Sequence, residues 1–229
     1  VLVKICGVTT LADACAVAAA GADFVGLNFH PASRRFLPVL QARKIAAALP
    51  STTRAVGVFV DHAPEQLVRL ARDVGLSIAQ LHGSEPVAHV RALADSGIET
   101  IKAFRIGNKA SLTAMAHWLC DAEDLGALPS WILIDADVAG LLGGSGQSIP
   151  QHVLSRIRTL EISGERLSPA ARSLLESRLI LAGGLTPENV AEIAAQIQPA
   201  VVDVASGVEM KPGRKDLTRV QRFIAAARG

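Results

Sequence analysis

The feature that most constrains this chain is a repeated alternation of two hydrophobic textures. Short runs rich in Val, Ile and Leu give way to turn residues, then to longer segments with apolar residues at helical spacing. The runs predict strands at 2–6, 23–29, 54–60, 77–82, 100–104, 131–135, 178–182 and 200–205. The longer segments at 11–20, 39–48, 64–74, 85–96, 109–121, 187–197 and 216–227 read as helices. Pro64 and Pro187 open two of them, where a missing N–H is tolerated. Eight such strand runs favour an α/β fold of one kind, a single (β/α)8 TIM barrel. An open sheet of fewer strands is the structural alternative. Residues 160–177 are too long for a simple connection and read as a surface extension with a short helix near 169–176. No linker or composition break divides the chain, so 1–229 is expected to form one domain, a length that such barrels reach.

Half of the residues are apolar but only 3% are aromatic. The core must therefore be built from Ala, Val, Ile and Leu, which suits buried parallel strands under Ala-rich helices. The 23 basic and 21 acidic side chains leave a formal charge of +2, which gives no electrostatic case for a nucleic acid or membrane partner. A small anionic ligand needs only a local site. The cysteines, Cys6, Cys15 and Cys120, form no CxxC pair and no zinc-ligand spacing, so no metal is expected and a reducing compartment fits. The start, VLVKICGV, lacks the pattern of a signal peptide, and no apolar run reaches the length of a membrane span. A cytoplasmic protein acting on a small molecule is the expectation.

In such a barrel, function sits where strands hand over to their following loops. Cys6 closes the first strand beside Gly7. Most cysteines at such places are small buried hydrophobes. The place at the barrel mouth makes Cys6 a candidate base instead, provided that local charges favour its thiolate. Cys15 and Cys120 lie in helical segments and read as structural. Asp135 ends the apolar run WILID, where an acid is costly unless it is paired or useful. Asp137 is its rival two residues on. Strands 1 and 6 lie well apart around an eight-membered ring, so Cys6 and Asp135 are expected to face each other across a ligand, as base and acid. Gly183 and Gly184 follow strand 7, and Ser206 and Gly207 follow strand 8. One such glycine is usually a turn residue, but two neighbouring loops with the same feature suggest a phosphate site beside helix N-termini. Arg34 and Arg35 offer a carboxylate clamp, although loop arginines are often only solvated. His82 alone reads as a structural or supporting histidine, and the other histidines share no metal-binding spacing.

Taken together, KICG at 4–7, SRRF at 33–36, GVFV at 57–60, QLHG at 80–83, GGSG at 143–146, LAGGLTPENV at 181–190 and DVASGVE with GRKD at 203–216 resemble the phosphoribosylanthranilate isomerase family. The motifs span nearly the whole chain in the family's order. The resemblance implies an aldose–ketose isomerase of tryptophan biosynthesis, working without cofactor on a small phosphorylated substrate, as a monomer or homodimer. It implies Cys6 as general base and Asp135 as general acid. It assigns Arg35 to the substrate carboxylate and counts His82 and Asp203 with it as substrate-binding residues. Gly144, Gly146, Gly183, Gly184, Ser206 and Gly207 resemble the family's phosphate cradle. The chain departs from the family after GGSG, where QSIPQHV stands in place of a Phe-Asp-Trp type segment. That departure motivates an alternative, a non-catalytic or divergent phosphosugar-binding barrel. Related barrel epimerases use metal-binding His and Asp groups, which are not evident here. The histidine-pathway barrels carry paired aspartates, whereas strand 1 carries Cys.

Overall fold

The structure, a computed structural model, describes residues 1–136 and 167–229. Eight parallel strands pair in sequence order and close into a barrel: β1 (Leu2–Cys6), β2 (Phe24–Asn28), β3 (Arg54–Phe59), β4 (Ile78–Leu81), β5 (Glu99–Arg105), β6 (Trp131–Asp135), β7 (Leu179–Ala182) and β8 (Val201–Val204). The ring closes through β1 on β8, with Leu2 opposite Val201 and Lys4 opposite Asp203. This excludes the open-sheet alternative. The barrel wears α1 (Leu11–Ala19), α2 (Val39–Ala48), α3 (Pro64–Val74), α4 (Val87–Ala94), α5 (Lys109–Asp124), α6 (Pro169–Ser177), α7 (Val190–Ile197) and α8 (Leu217–Arg228). The short helix expected near 169–176 is α6. No helix among the described residues is long and apolar enough to cross a membrane.

Strand side chains alternate between two cores. Val3, Ile5, Ala79, Leu81, Ile132, Ile134, Val202 and Val204 belong to the large cluster that packs strands against helices. Their neighbours Ile78, Trp131, Leu133 and Val201 belong to a second cluster, which fills the barrel interior. The same parity turns Lys4, Cys6, Gln80, Asp135 and Asp203 inward. It turns Lys102 outward, since Ile101 and Ala103 on either side belong to the interior cluster.

Lys102 therefore points away from the mouth. Its ammonium donates to Glu85 Oε2 at 2.7 Å and to the Gly83 carbonyl at 2.8 Å, under Phe104 and Trp118. Glu85 also accepts from the backbone N–H groups of Asp61 and Gly83. The pair braces the loops after β3 and β4. It also explains why α4 starts at Val87 rather than at 85: Glu85 is spent on the loop, and Pro86 sits in the extended region.

Two further expectations are corrected. Helix α7 starts at Val190 rather than at Pro187, because Thr186 to Asn189 form a turn held by the Asn189 side chain. Ser206 and Gly207 do not lead directly into a helix. A 3₁₀ turn, Ser206–Val208, is followed by a small antiparallel hairpin, β9 (Glu209–Lys211) with β10 (Arg214–Lys215), before α8.

Burial alone would raise the Glu85 carboxyl, but the Lys102 ammonium and backbone N–H groups outweigh it and hold the carboxyl below the usual carboxylate range. A depressed acid adds stability above its unfolded value, near about 4.3, and loses it as pH falls through the folded value. Glu85→Gln is expected to cost about 3–5 kcal/mol at pH 7, the range for breaking a buried pair. Urea unfolding measures this, and the gap to the parent should narrow as pH falls below about 4.

Candidate active site

The inward-facing ends of the strands form one rim. Cys6 is the last residue of β1 and keeps some exposed surface there. Its thiol lies over Gly26 of β2: a Cβ on Gly26 would stand 2.7 Å from Sγ. Gly7 makes a second opening. It has φ +75, and a Cβ there would collide with Arg35 Cδ, so the Arg35 side chain lies across the glycine. Arg35 is half-buried and donates through Nε and Nη2 to the two oxygens of Glu209, at 2.8 and 2.6 Å. Arg34 is exposed.

Glu209 is also bound by Lys215, a buried residue of β10 that the sequence reading left without a role. The Lys215 ammonium donates to Glu209 Oε1 at 2.9 Å, to the Cys6 carbonyl at 2.6 Å and to the Ala205 carbonyl at 3.1 Å. It thus ties the first and eighth loops together. Burial lowers the Lys215 ammonium, more than Glu209 raises it. Burial would raise the Glu209 carboxyl, but Arg35 and Lys215 together hold it down. Inside the barrel, Lys4 is fully buried and donates to Asp203 Oδ2 at 2.8 Å. Burial opposes its charge, yet Asp203 and Cys6 outweigh that and raise it. The Cys6 thiol itself is pushed up by burial, which the nearby Lys4 and Lys215 only partly offset.

On the other side, Asp135 ends β6 with its side chain toward His82: Asp135 Oδ2 and His82 Nε2 are 3.5 Å apart. His82 Nδ1 lies 2.7 Å from the amide nitrogen of Gln80, which is buried inside the barrel. With that amide donating to Nδ1, a neutral imidazole carries its proton on Nε2, facing Asp135. Gly183 is needed here too. At φ +96, its Cβ would stand 2.8 Å from Asp135 Oδ1 and 2.7 Å from the Ala136 backbone nitrogen. Asp137, the rival acid, lies outside the described residues.

Of the expected phosphate cradle, Gly183 and Gly184 follow β7 with φ of +96 and +60. Ser206 and Gly207 sit beside them in the 3₁₀ turn after β8. A Cβ on Gly207 would collide with the Leu185 carbonyl, so this glycine lets loop 8 pack on loop 7. Gly144 and Gly146 lie outside the described residues, as do the QSIPQHV segment and His152. No cluster of three or more His, Cys, Asp or Glu that could hold a metal occurs among the described residues.

Sequence reasoning missed Gly26 and Lys215. A glycine inside an apolar strand is itself a signal of close approach, and Lys215 stands in the GRKD segment. What each touches was not legible. Gly26→Ala is expected to push the Cys6 sulfur aside and lower turnover about a hundredfold, the order of loss for an ångström-scale misplacement; steady-state kinetics with a folded, unshifted circular dichroism spectrum would check it. Because burial raises the thiol, Cys6 alkylation should climb with pH through a midpoint above about 8.5. Mass mapping of iodoacetamide-treated protein reads this.

Comparisons with known proteins place the chain in one family. The family model for N-(5'-phosphoribosyl)anthranilate (PRA) isomerase matches residues 3–226. The N-(5'-phosphoribosyl)anthranilate isomerase of Rubrobacter xylanophilus is 37% identical over 226 residues, covering 99% of this chain and 98% of its own. That of Symbiobacterium thermophilum is 40% identical over 235 residues, covering 99% and 98%. Among solved structures, phosphoribosyl anthranilate isomerase from Thermotoga maritima superposes with a TM-score of 0.82 at 34% identity, covering 100% of this chain and 99% of its own. Another, a phosphoribosyl anthranilate isomerase in complex with reduced 1-(o-carboxyphenylamino)-1-deoxyribulose 5-phosphate, superposes with a TM-score of 0.77 at 33% identity, covering 100% and 99%. The chain therefore belongs to the N-(5'-phosphoribosyl)anthranilate isomerase family.

Proposed function

We propose that this isomerase converts N-(5-phosphoribosyl)anthranilate to 1-(2-carboxyphenylamino)-1-deoxyribulose 5-phosphate in tryptophan biosynthesis, with Cys6 as general base and Asp135 as general acid. The observation that carries the reading is a thiol and a carboxyl at the inward ends of β1 and β6, on one rim with the glycine loops after β7 and β8. A solved relative holds a reduced form of that product.

In this reading, Asp135 gives its proton to the ring oxygen of the sugar. The bond from that oxygen to C1′ breaks and leaves a Schiff base with the anthranilate nitrogen. Cys6, as thiolate, then takes the proton from C2′, and the electron pair moves into an enolamine. Tautomerisation places the carbonyl at C2′ and a proton at C1′. The steps only move protons, so no cofactor is needed. His82, 3.5 Å from Asp135, supports the carboxylate left behind when the acid has given up its proton. Arg35 presents Nη1 to the substrate carboxylate while Glu209 fixes its other edge. Asp203 orients the sugar from the barrel interior. The backbone N–H groups at Gly183, Gly184, Ser206 and Gly207 receive the phosphate, with Gly144 and Gly146 completing the cradle. The partner is this small phosphorylated molecule, and the chain acts as a monomer or homodimer; one Thermotoga maritima relative is described as dimeric.

Cys6→Ala and Asp135→Asn should each leave a folded protein whose turnover is lowered by about three orders of magnitude or more, at the upper range for one acid–base group. The fluorescence of phosphoribosylanthranilate follows its consumption directly. Near-normal turnover in either variant removes that residue's role. Saturable binding without consumption by the parent protein would favour the non-catalytic alternative, and complementation of a tryptophan auxotroph lacking this step provides the cellular test.

A further inference from the structure

Lys4 has no part in the mechanism above, yet it is among the largest fully buried side chains of the described residues. It stands on the inward face of β1, a face that on β2, β3, β5, β6 and β7 carries the apolar Phe24, Val56, Ile101, Leu133 and Ile180. An apolar residue would fill that volume at less electrostatic cost. Its position two residues before Cys6 puts both on the same side of the strand. The ammonium is fixed from β8 by Asp203 Oδ2 at 2.8 Å, and its charge, on the same inward face as Cys6, favours the thiolate. The second Asp203 oxygen, Oδ1, is buried with no hydrogen-bond partner.

The other cations near Cys6 are committed elsewhere. Lys215 spends its three N–H groups on two carbonyls and Glu209, and Arg35 is paired with the same Glu209. Glu209 neutralises one of these two charges, and Lys215 favours the thiolate less than Lys4 does. Without Lys4, the inward-facing Asp203 carboxylate would be left without its cation, and it disfavours a thiolate at Cys6.

We propose that Lys4 is a positioning residue for Cys6: its buried ammonium, held by Asp203, fixes the sulfur and stabilises the negative charge that forms there when the thiol loses its proton. The proton leaves to solvent before the substrate proton is taken up, so the sulfur cycles between thiolate and thiol. This rests on Cys6 being the base, but its test does not need turnover.

The experiment follows Cys6 alkylation by iodoacetamide against pH in the full chain, with peptide mass spectrometry separating Cys6 from Cys15 and Cys120. In Lys4→Met, the midpoint should rise by about one pH unit, a roughly tenfold slower reaction at fixed pH below it; kcat should fall by a similar factor with KM little changed. Lys4→Arg should return the midpoint toward that of the parent. Lys4→Met combined with Asp203→Asn removes the pair without stranding a buried carboxylate, and so tests the idea even if the single variant does not fold. If Lys4 merely neutralises Asp203, this double variant alkylates like the parent; the proposal requires its midpoint to stay high. A parent-like midpoint in either Met variant overturns it. Retained turnover in Cys6→Ala would remove the base assignment alone and leave the alkylation result standing.

Discussion

The pairing of β1 with β8 is the contact on which the rest of the structure depends. Leu2 to Ile5 lie alongside Val201 to Val204, and this seam turns a sheet into a barrel. Without it, β1 and β8 would be the two edges of an open sheet, with Cys6 and Asp203 far apart. With it, Lys4 and Asp203 meet across 199 residues of sequence, and Lys215 reaches the Cys6 carbonyl across 209. Closing so long a loop carries an entropic cost that rises only slowly with length. Continuous parallel hydrogen bonding and two buried clusters of aliphatic side chains offset it.

Closure also crowds the mouth, and the chain answers with missing side chains. The Cys6 sulfur occupies the place of a Gly26 Cβ, and Arg35 the place of a Gly7 Cβ. Asp135 stands where a Gly183 Cβ would be, and loop 7 presses on Gly207. Each glycine beside a candidate functional group makes room for that group as well as bending the chain. The two explanations, turn residue and site residue, are therefore not exclusive here. Charge is handled in a similar way: the buried cations Lys4 and Lys215 each have a carboxylate partner, Asp203 and Glu209. The Cys6 thiol sits between the two pairs, under burial that favours its neutral form.

Several features were legible from residue order. Each strand run predicted from β-branched spacing matches a strand to within one residue at each end, because a buried parallel strand must be apolar on both faces. Helices 39–48 and 64–74 have the expected bounds. The start of α7 was not legible, since Pro187 suits both a first helical turn and the tight turn that Asn189 holds. The hairpin after β8 was missed because strands of three and two residues leave almost no pattern. The facing of Lys102 was not legible because its strand parity was unknown. Once Ile101 and Ala103 are seen to face inward, its partner is Glu85 on the outside.

By itself, the sequence determined the class of fold and the chemical inventory of the mouth, since periodicity and residue type are local properties of the chain. It placed a thiol at the end of the first strand and a carboxyl at the end of the sixth. The tertiary structure decided which groups touch: Arg35 on Glu209, Lys4 on Asp203, His82 toward Asp135, and Cys6 over Gly26. These contacts join residues far apart in the chain, and only the register of a closed ring brings them within hydrogen-bonding or van der Waals distance.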